Sequence, residues 1–282
     1  MSHRGLFKDY VGVFDSGVGG LSVWREIARQ LPHEDIVYLA DQAHVPYGFR
    51  SLEEIRAFDE AVTRFLLDQG VKAIVIACNA ASVAGLDYLR ALYPDVPFVG
   101  MEPAVKPAAE RTRTGVIGVI ATHAAFQGER FASLVARYAG DAQVLTCVGV
   151  GLVEAVEAGA LDTPETEVLL QKLLTPLIEA GADQIVLGCS HYPFLLPAIE
   201  RIVGPDVAAV DPSPAVARQT ARVLAKRGLE ADRGRVGRYA FVTTGDADKF
   251  AVMVKDLIPT FWNETSETMG VCWQGERLKM TT

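Results

Sequence analysis

Cys78 closes the apolar run Ala73-Ile74-Val75-Ile76-Ala77, and Cys189 follows Gln184-Ile185-Val186-Leu187-Gly188. Each thiol stands where a buried strand would end, and each is followed by polar residues: Asn79 and then Ser82 in one case, Ser190-His191 in the other. Two thiols in matching settings suggest one chemistry, in which one group takes a proton from one face of a substrate while the other delivers a proton to the opposite face. A single free cysteine usually behaves as a small buried hydrophobe. A catalytic one needs polar neighbours that tune a thiol whose ordinary pKa is about 8.5. Asp15 and His191 are the available neighbours, for Cys78 and Cys189 respectively.

Other residues could share the chemistry. Asp15-Ser16-Gly17-Val18-Gly19-Gly20 follows an apolar run and opens a helical pattern. Such a turn aims backbone N–H groups at an anion near the positive end of a helix, which suits a carboxylate or a phosphate. Ser22 occupies the place where the dinucleotide fingerprint wants its last glycine, and the lysine of a phosphate loop is missing, so a nucleotide reading is weak. In His44-Val45-Pro46-Tyr47-Gly48, proline and glycine make a turn whose backbone donors could hold an anion, with Tyr47 closing the pocket. Cys189-Ser190-His191 also has the look of a metal fragment, but no second closely spaced ligand pair supports zinc. A Cys-His hydrolase would leave Cys78 unexplained. Glu154 by itself reads as a solvated helical acid.

These residues need elements to position them. Short apolar runs alternate with helical patterns, the signature of parallel sheets covered on both faces. The expected strands are 10–14, 35–39, 73–77, 98–100, 115–120, 143–146, 184–187 and 207–210. Helices are expected around Trp24–Leu31, Leu52–Gln69 and Ala215–Arg227, from apolar residues at helical spacing. The halves of the chain also repeat: Val11–Ser16 matches Ile117–Thr122 at an offset of 106, and the cysteine runs match at 111. Two related α/β units follow. Ligands of parallel sheets lie beyond the carboxyl ends of the strands, where Asp15, Ser16, Cys78, Cys189 and His191 all fall. If the units face each other, both cysteines line one cleft.

The composition limits the class of ligand. The 282 residues are half hydrophobic with 22% charged, which is globular, and the formal net charge of −8 disfavours nucleic acid, whose phosphates demand excess Lys and Arg. The cluster Lys226, Arg227, Arg233, Arg235 and Arg238 reads as a solvated face. Met1–Tyr10 lacks the apolar core of a signal peptide, and the longest apolar stretch, Val71–Leu86, is broken by Lys72 and Asn79, so no membrane association and a cytoplasmic location are expected. Four cysteines without a Cys-x-x-Cys pair do not make a disulfide framework. The tail with Trp262, Cys272 and Trp273 is expected to return to the first unit. A homodimer is compatible with the sequence, which does not mark an interface.

Phe14-Asp15-Ser16-Gly17-Val18-Gly19-Gly20-Leu21, Pro46-Tyr47-Gly48, Ala77-Cys78-Asn79 and Gly188-Cys189-Ser190-His191-Tyr192-Pro193, in this order, resemble the motifs of the glutamate racemases. The resemblance covers about residues 11 to 213. It implies two pseudo-symmetric, doubly wound α/β domains with the active site in the cleft between them, the second inserted in the first: 1–104 with 214–282, and 105–213. It implies interconversion of L- and D-glutamate without a cofactor or metal, supplying D-glutamate for peptidoglycan. Residue by residue, Cys78 resembles the thiolate that deprotonates D-glutamate and Cys189 the one that deprotonates L-glutamate. Asp15 and His191 resemble their helpers, and Glu154 a further acid on the His191 side. Asp15, Ser16, Tyr47, Gly48, Asn79, Ala80, Ser190 and His191 fall where the family contacts substrate. Two positions depart from the pattern, since Ala80 and Ser190 stand where threonine is common. An aspartate racemase, a non-catalytic two-lobed amino-acid-binding protein and a nicotinamide-dependent oxidoreductase are the alternatives.

Overall fold

The computed structural model describes residues 5–127, 129–262 and 266–281, so Met1–Arg4 of the amino-terminal segment lie outside the described residues. Eleven strands are found among them: β1 (Val11–Asp15), β2 (Ile36–Ala40), β3 (Ala73–Ile76), β4 (Phe98–Gly100), β5 (Val116–Ala121), β6 (Gln143–Val148), β7 (Gln184–Gly188), β8 (Ala208–Val210), β9 (Tyr239–Thr243), β10 (Glu267–Gln274) and β11 (Arg277–Met280). They form two sheets. One has seven strands in the order β11-β10-β9-β2-β1-β3-β4, the other four in the order β6-β5-β7-β8. All pairings are parallel except β10 with β11.

The repeat read from sequence reappears as topology. The block β2-β1-β3-β4 has the same order as β6-β5-β7-β8, with β1 matching β5 and the cysteine-bearing β3 matching β7. Strands β1, β2, β3 and β7 are buried along their whole lengths. Burial on both faces is why they read as unbroken apolar runs rather than alternating ones.

Three helices set up the site. Helix α1 (Leu21–Gln30) starts directly from the glycine turn, and its Trp24 is buried edge-on against Tyr239 and Phe261, with ring centroids 4.9 and 5.6 Å apart. Helix α2 (Leu52–Asp68) opens with a capping box, in which Ser51 and Glu54 bond reciprocally to each other's backbone. Helix α3 (Asn79–Leu92) begins one residue after Cys78, whose extended backbone places it at the N-cap. The helix Ser213–Arg227 returns the chain to α1, where Ser213 Oγ donates to Ser22 Oγ at 3.4 Å.

The last third adds β9, β10 and β11 to the edge of the first sheet, beside β2. The sequence did not announce these strands, but the tail packs where it was expected. Trp262 stacks on Phe241, and Trp273 lies on β10. Of the basic cluster, Arg235 and Arg238 are paired with the buried Asp35. Among the described residues no helix is long and apolar enough to cross a membrane.

Candidate active site

The carboxyl ends of β1, β3 and β7 converge on one narrow cavity of about 10 Å³. It is lined by residues of both sheets, among them Ser16, Tyr47, Gly48, Cys78, Asn79 and Ala80 from the first and Thr122, Val153, Cys189, Ser190 and His191 from the second. Cys78 and Cys189 are each 6% exposed, so they meet the same small space from separate sheets. All the residues expected to form the site therefore lie together at this cavity, with Asp15 directly behind its wall, except Glu154.

Asp15 is fully buried at the end of β1. Its Oδ1 accepts the Ser16 N–H at 2.6 Å, and its Oδ2 accepts the Ser190 hydroxyl across the cleft at 2.8 Å. Burial, followed by the charge of Asp15, pushes the Cys78 thiol well above its ordinary value. Cys78 thus holds its proton until something in the cleft changes that balance.

Cys189 has a different neighbour. His191 Nδ1 lies 3.7 Å from its sulfur, and the other ring nitrogen is 2.7 Å from Glu157 Oε1. Burial alone would push this imidazole down, but hydrogen bonding to Cys189 and Glu157, reinforced by their charges, raises it well above its ordinary value. The reciprocal effect outweighs burial at Glu157, whose carboxyl is held below the usual range. The two form a buried ion pair, with thiols differently assisted on the two sides.

The acid beside His191 is therefore Glu157, and the expectation for Glu154 is corrected. Both lie on the helix Leu152–Glu157. Residues four apart share a helix face, so Glu157 lies over the cavity-lining Val153. Glu154 is rotated away and exposed to solvent. The usable signal was an acid at four-residue spacing from a buried apolar residue, and two acids three residues apart obscured it.

The glycine turn also differs from its expected use. Its Val18 N–H donates to Glu157 Oε1 at 2.7 Å, so the carboxylate it holds is one of the protein's own. A side chain at Gly17 would collide with Glu157, and one at Gly19 with the His191 ring. Close approach of the second sheet's residues requires those two glycines. Tyr38 fixes the turn from below, donating from its hydroxyl to the Gly17 carbonyl at 2.6 Å.

Two expected substrate donors are otherwise engaged. The Tyr47 hydroxyl donates to Asp41 Oδ2 and the Ser190 hydroxyl to Asp15, while Tyr47, Gly48 and Ser190 all line the cleft. Unpartnered polar atoms remain: both side-chain heteroatoms of Asn79, and the hydroxyl of Thr122, the repeat counterpart of Ser16 and a lining residue not expected at the site. A buried polar atom without a partner costs about 1–3 kcal/mol. These atoms are where a polar ligand gains most. Among the described residues, no three His, Cys, Asp or Glu side chains converge as a metal site.

Comparison with known proteins agrees with this geometry. Residues 11–220 match the family model described as Asp/Glu/Hydantoin racemase. A glutamate racemase of Herpetosiphon aurantiacus is 52% identical over 241 residues, covering 86% of this chain and 94% of the relative. A glutamate racemase isoform of Bacillus anthracis superposes with a TM-score of 0.83 at 31% identity, covering 95% of this chain and 98% of that one. The Escherichia coli glutamate racemase, solved with L-glutamate and the activator UDP-MurNAc-Ala, gives a TM-score of 0.82 at 30% identity and covers 95% and 100%. Fold, paired thiols and these likenesses agree, and the chain belongs to the Asp/Glu/Hydantoin racemase family.

Proposed function

We propose that this protein is a glutamate racemase working through two cysteines. The observation that carries the reading is the meeting of Cys78 and Cys189, from separate sheets, at one narrow cavity whose Asn79 and Thr122 have unpartnered polar atoms. In the L-to-D direction Cys189 removes the α-proton as a thiolate, and Cys78, kept protonated by burial and Asp15, donates its proton to the opposite face. The reverse direction exchanges these roles, and Asp15 assists the loss of the Cys78 proton. His191, oriented by Glu157, moves a proton to or from Cys189.

Asn79, Thr122, Ser16 and the Tyr47-Gly48 backbone hold the substrate's charged ends, with Ala80, Ser190 and His191 completing the wall and Asp15 behind it. The reaction takes no cofactor, so positioning in a dry site and electrostatic stabilisation of the carbanionic transition state supply the rate. Ala80 contributes backbone alone, and Asn79 and Thr122 offer the nearby polar groups. We assign 1–104 with 214–282 to one domain and 105–213 to the other, and the enzyme to the cytoplasmic supply of D-glutamate for peptidoglycan.

Incubation of the purified protein with each enantiomer of glutamate and of aspartate, followed by circular dichroism without added cofactor, tests the substrate. Both glutamate signals are expected to decay to zero. Decay for aspartate alone would make the protein an aspartate racemase, and no decay for either would leave it a binding protein.

A further inference from the structure

Behind the Tyr47-Gly48 wall sits a second buried carboxylate, Asp41, with no exposure to solvent. Its N–H donates to the carbonyl of Asp15 at 2.9 Å, tying it to the end of β1. Its two oxygens collect partners from three separate stretches of chain. Oδ2 accepts the Tyr47 hydroxyl at 2.8 Å and lies 2.8 Å from His44 Nδ1. Oδ1 accepts the Thr244 hydroxyl and the Trp273 indole N–H, each at 2.8 Å. Thr244 follows β9 and Trp273 lies on β10, so half of the ligation of this carboxylate comes from the last third of the chain.

The rings around Asp41 pack as well as bond. His44 stacks on Phe58 at 4.1 Å, Trp273 meets His44 edge-on at 4.8 Å and Phe58 at 5.7 Å, and Tyr47 lies 5.5 Å from Phe58. Arg50 completes the loop, donating from Nε to the His44 carbonyl at 2.9 Å. The stretch from His44 to Arg50 thus leans on the carboxyl-terminal strands on one side and presents Tyr47-Gly48 to the cavity on the other. Trp273 itself does not line that cavity.

We propose that Trp273, acting through Asp41, is a positioning residue for the substrate-binding wall. This inference rests on the glutamate racemase reading. A buried carboxylate is stable in one place only while its donors compensate it. With one donor gone, Asp41 and the Tyr47 phenol it anchors sample other arrangements, and the backbone of Tyr47-Gly48 moves with them. Apparent affinity then falls by the fraction of molecules that keep the binding-competent wall. Chemistry at the two thiols is unaffected once substrate is seated, because neither Trp273 nor Asp41 touches them.

The test compares wild type with Trp273→Phe, which keeps an aromatic ring but removes the N–H. KM for both glutamate enantiomers is expected to rise about tenfold or more, the order expected from one lost hydrogen bond to a charged group, with kcat within about twofold. Thr244→Val, which removes the other Oδ1 donor from a different strand end, is expected to move KM in the same direction and carries the test if Trp273→Phe fails to fold. Wild-type protein labelled with 5-fluorotryptophan gives one resonance for each of its three tryptophans. The resonance that disappears in Trp273→Phe is expected to shift when D-glutamate is added. A KM within twofold of wild type in the folded variants, a loss confined to kcat, or a resonance unmoved by saturating D-glutamate would overturn the proposal. Absence of racemisation in wild type would instead refute the reading on which it rests.

Discussion

At the scale of single residues, Glu157 matters most after the thiols. One of its oxygens accepts both the Val18 N–H and a proton of the His191 ring, each at 2.7 Å, and so joins the glycine turn of one sheet to the helper of the thiol on the other. The raised imidazole contributes stability fully below its unfolded value, and that contribution is lost as pH rises through the folded one. The lowered Glu157 carboxyl contributes stability above its unfolded value, lost as pH falls through the folded one. The pair therefore stabilises the fold between the two folded values, a window that includes neutral pH. Replacing Glu157 by Gln removes the charge that keeps His191 protonated, so the alkaline limb of log kcat/KM should move to lower pH, with kcat reduced about 10²-fold, the low end of the range for a general acid–base group. Glu154→Gln, a change at the exposed acid, should leave both the profile and kcat near wild type. A pH–rate series on the two variants checks this, and the reverse pattern would restore Glu154 to the site.

At the scale of elements, α2 and α3 meet over a second unusual carboxyl. Asp59 is fully buried and neither oxygen has a hydrogen-bond partner. Burial first, then the negative charge of Asp41, push its pKa well up, with Arg56 opposing. The facing residue on α3 is Gly85, where a side chain would collide with the Asp59 carboxylate. An acid whose folded pKa is raised holds its proton in the native state. It has no stability penalty below its unfolded value, and stability falls as pH climbs from there toward the folded one, by up to about 1.4 kcal/mol per unit. Asp59→Asn should therefore gain stability over wild type as pH rises, by up to about 1.4 kcal/mol per unit, with the gain vanishing near pH 4. Thermal melts across that range would show it, and a gain independent of pH would contradict the protonated assignment.

The same elements explain what could be read from sequence. Strands buried on both faces announce themselves as apolar runs, which is why Cys78 and Cys189 were legible as strand-end thiols and β1, β3, β5 and β7 fell close to their expected bounds. In contrast, β10 is only partly buried and β11 alternates at an edge, so neither carries an apolar run. Asp41 was silent for another reason. Its partners Thr244 and Trp273 lie more than 200 residues away, beyond any local pattern. The choice between Glu154 and Glu157 depended on the rotation of a six-residue helix, too short for periodicity to fix its face.

At the scale of the whole molecule, the repeated sheet order is what brings two equivalent strand ends together. The block β2-β1-β3-β4 presents Cys78 and the block β6-β5-β7-β8 presents Cys189, and bonds such as Ser22 Oγ to the Ser190 carbonyl at 2.8 Å close the units on each other. A mirror-image pair of proton transfers is what such an arrangement suits. The helpers break the symmetry, with Asp15 behind Cys78 and the His191–Glu157 pair behind Cys189. The most direct measurement is racemisation of L- and D-glutamate in heavy water by wild type, Cys78→Ser and Cys189→Ser, with circular dichroism confirming that each variant is folded. The two-thiol account predicts that wild type places solvent deuterium at Cα of the product enantiomer in both directions, and that each serine variant loses about 10²-fold or more in racemisation rate. A product that keeps its original Cα hydrogen, or either variant racemising glutamate at the wild-type rate, would contradict it.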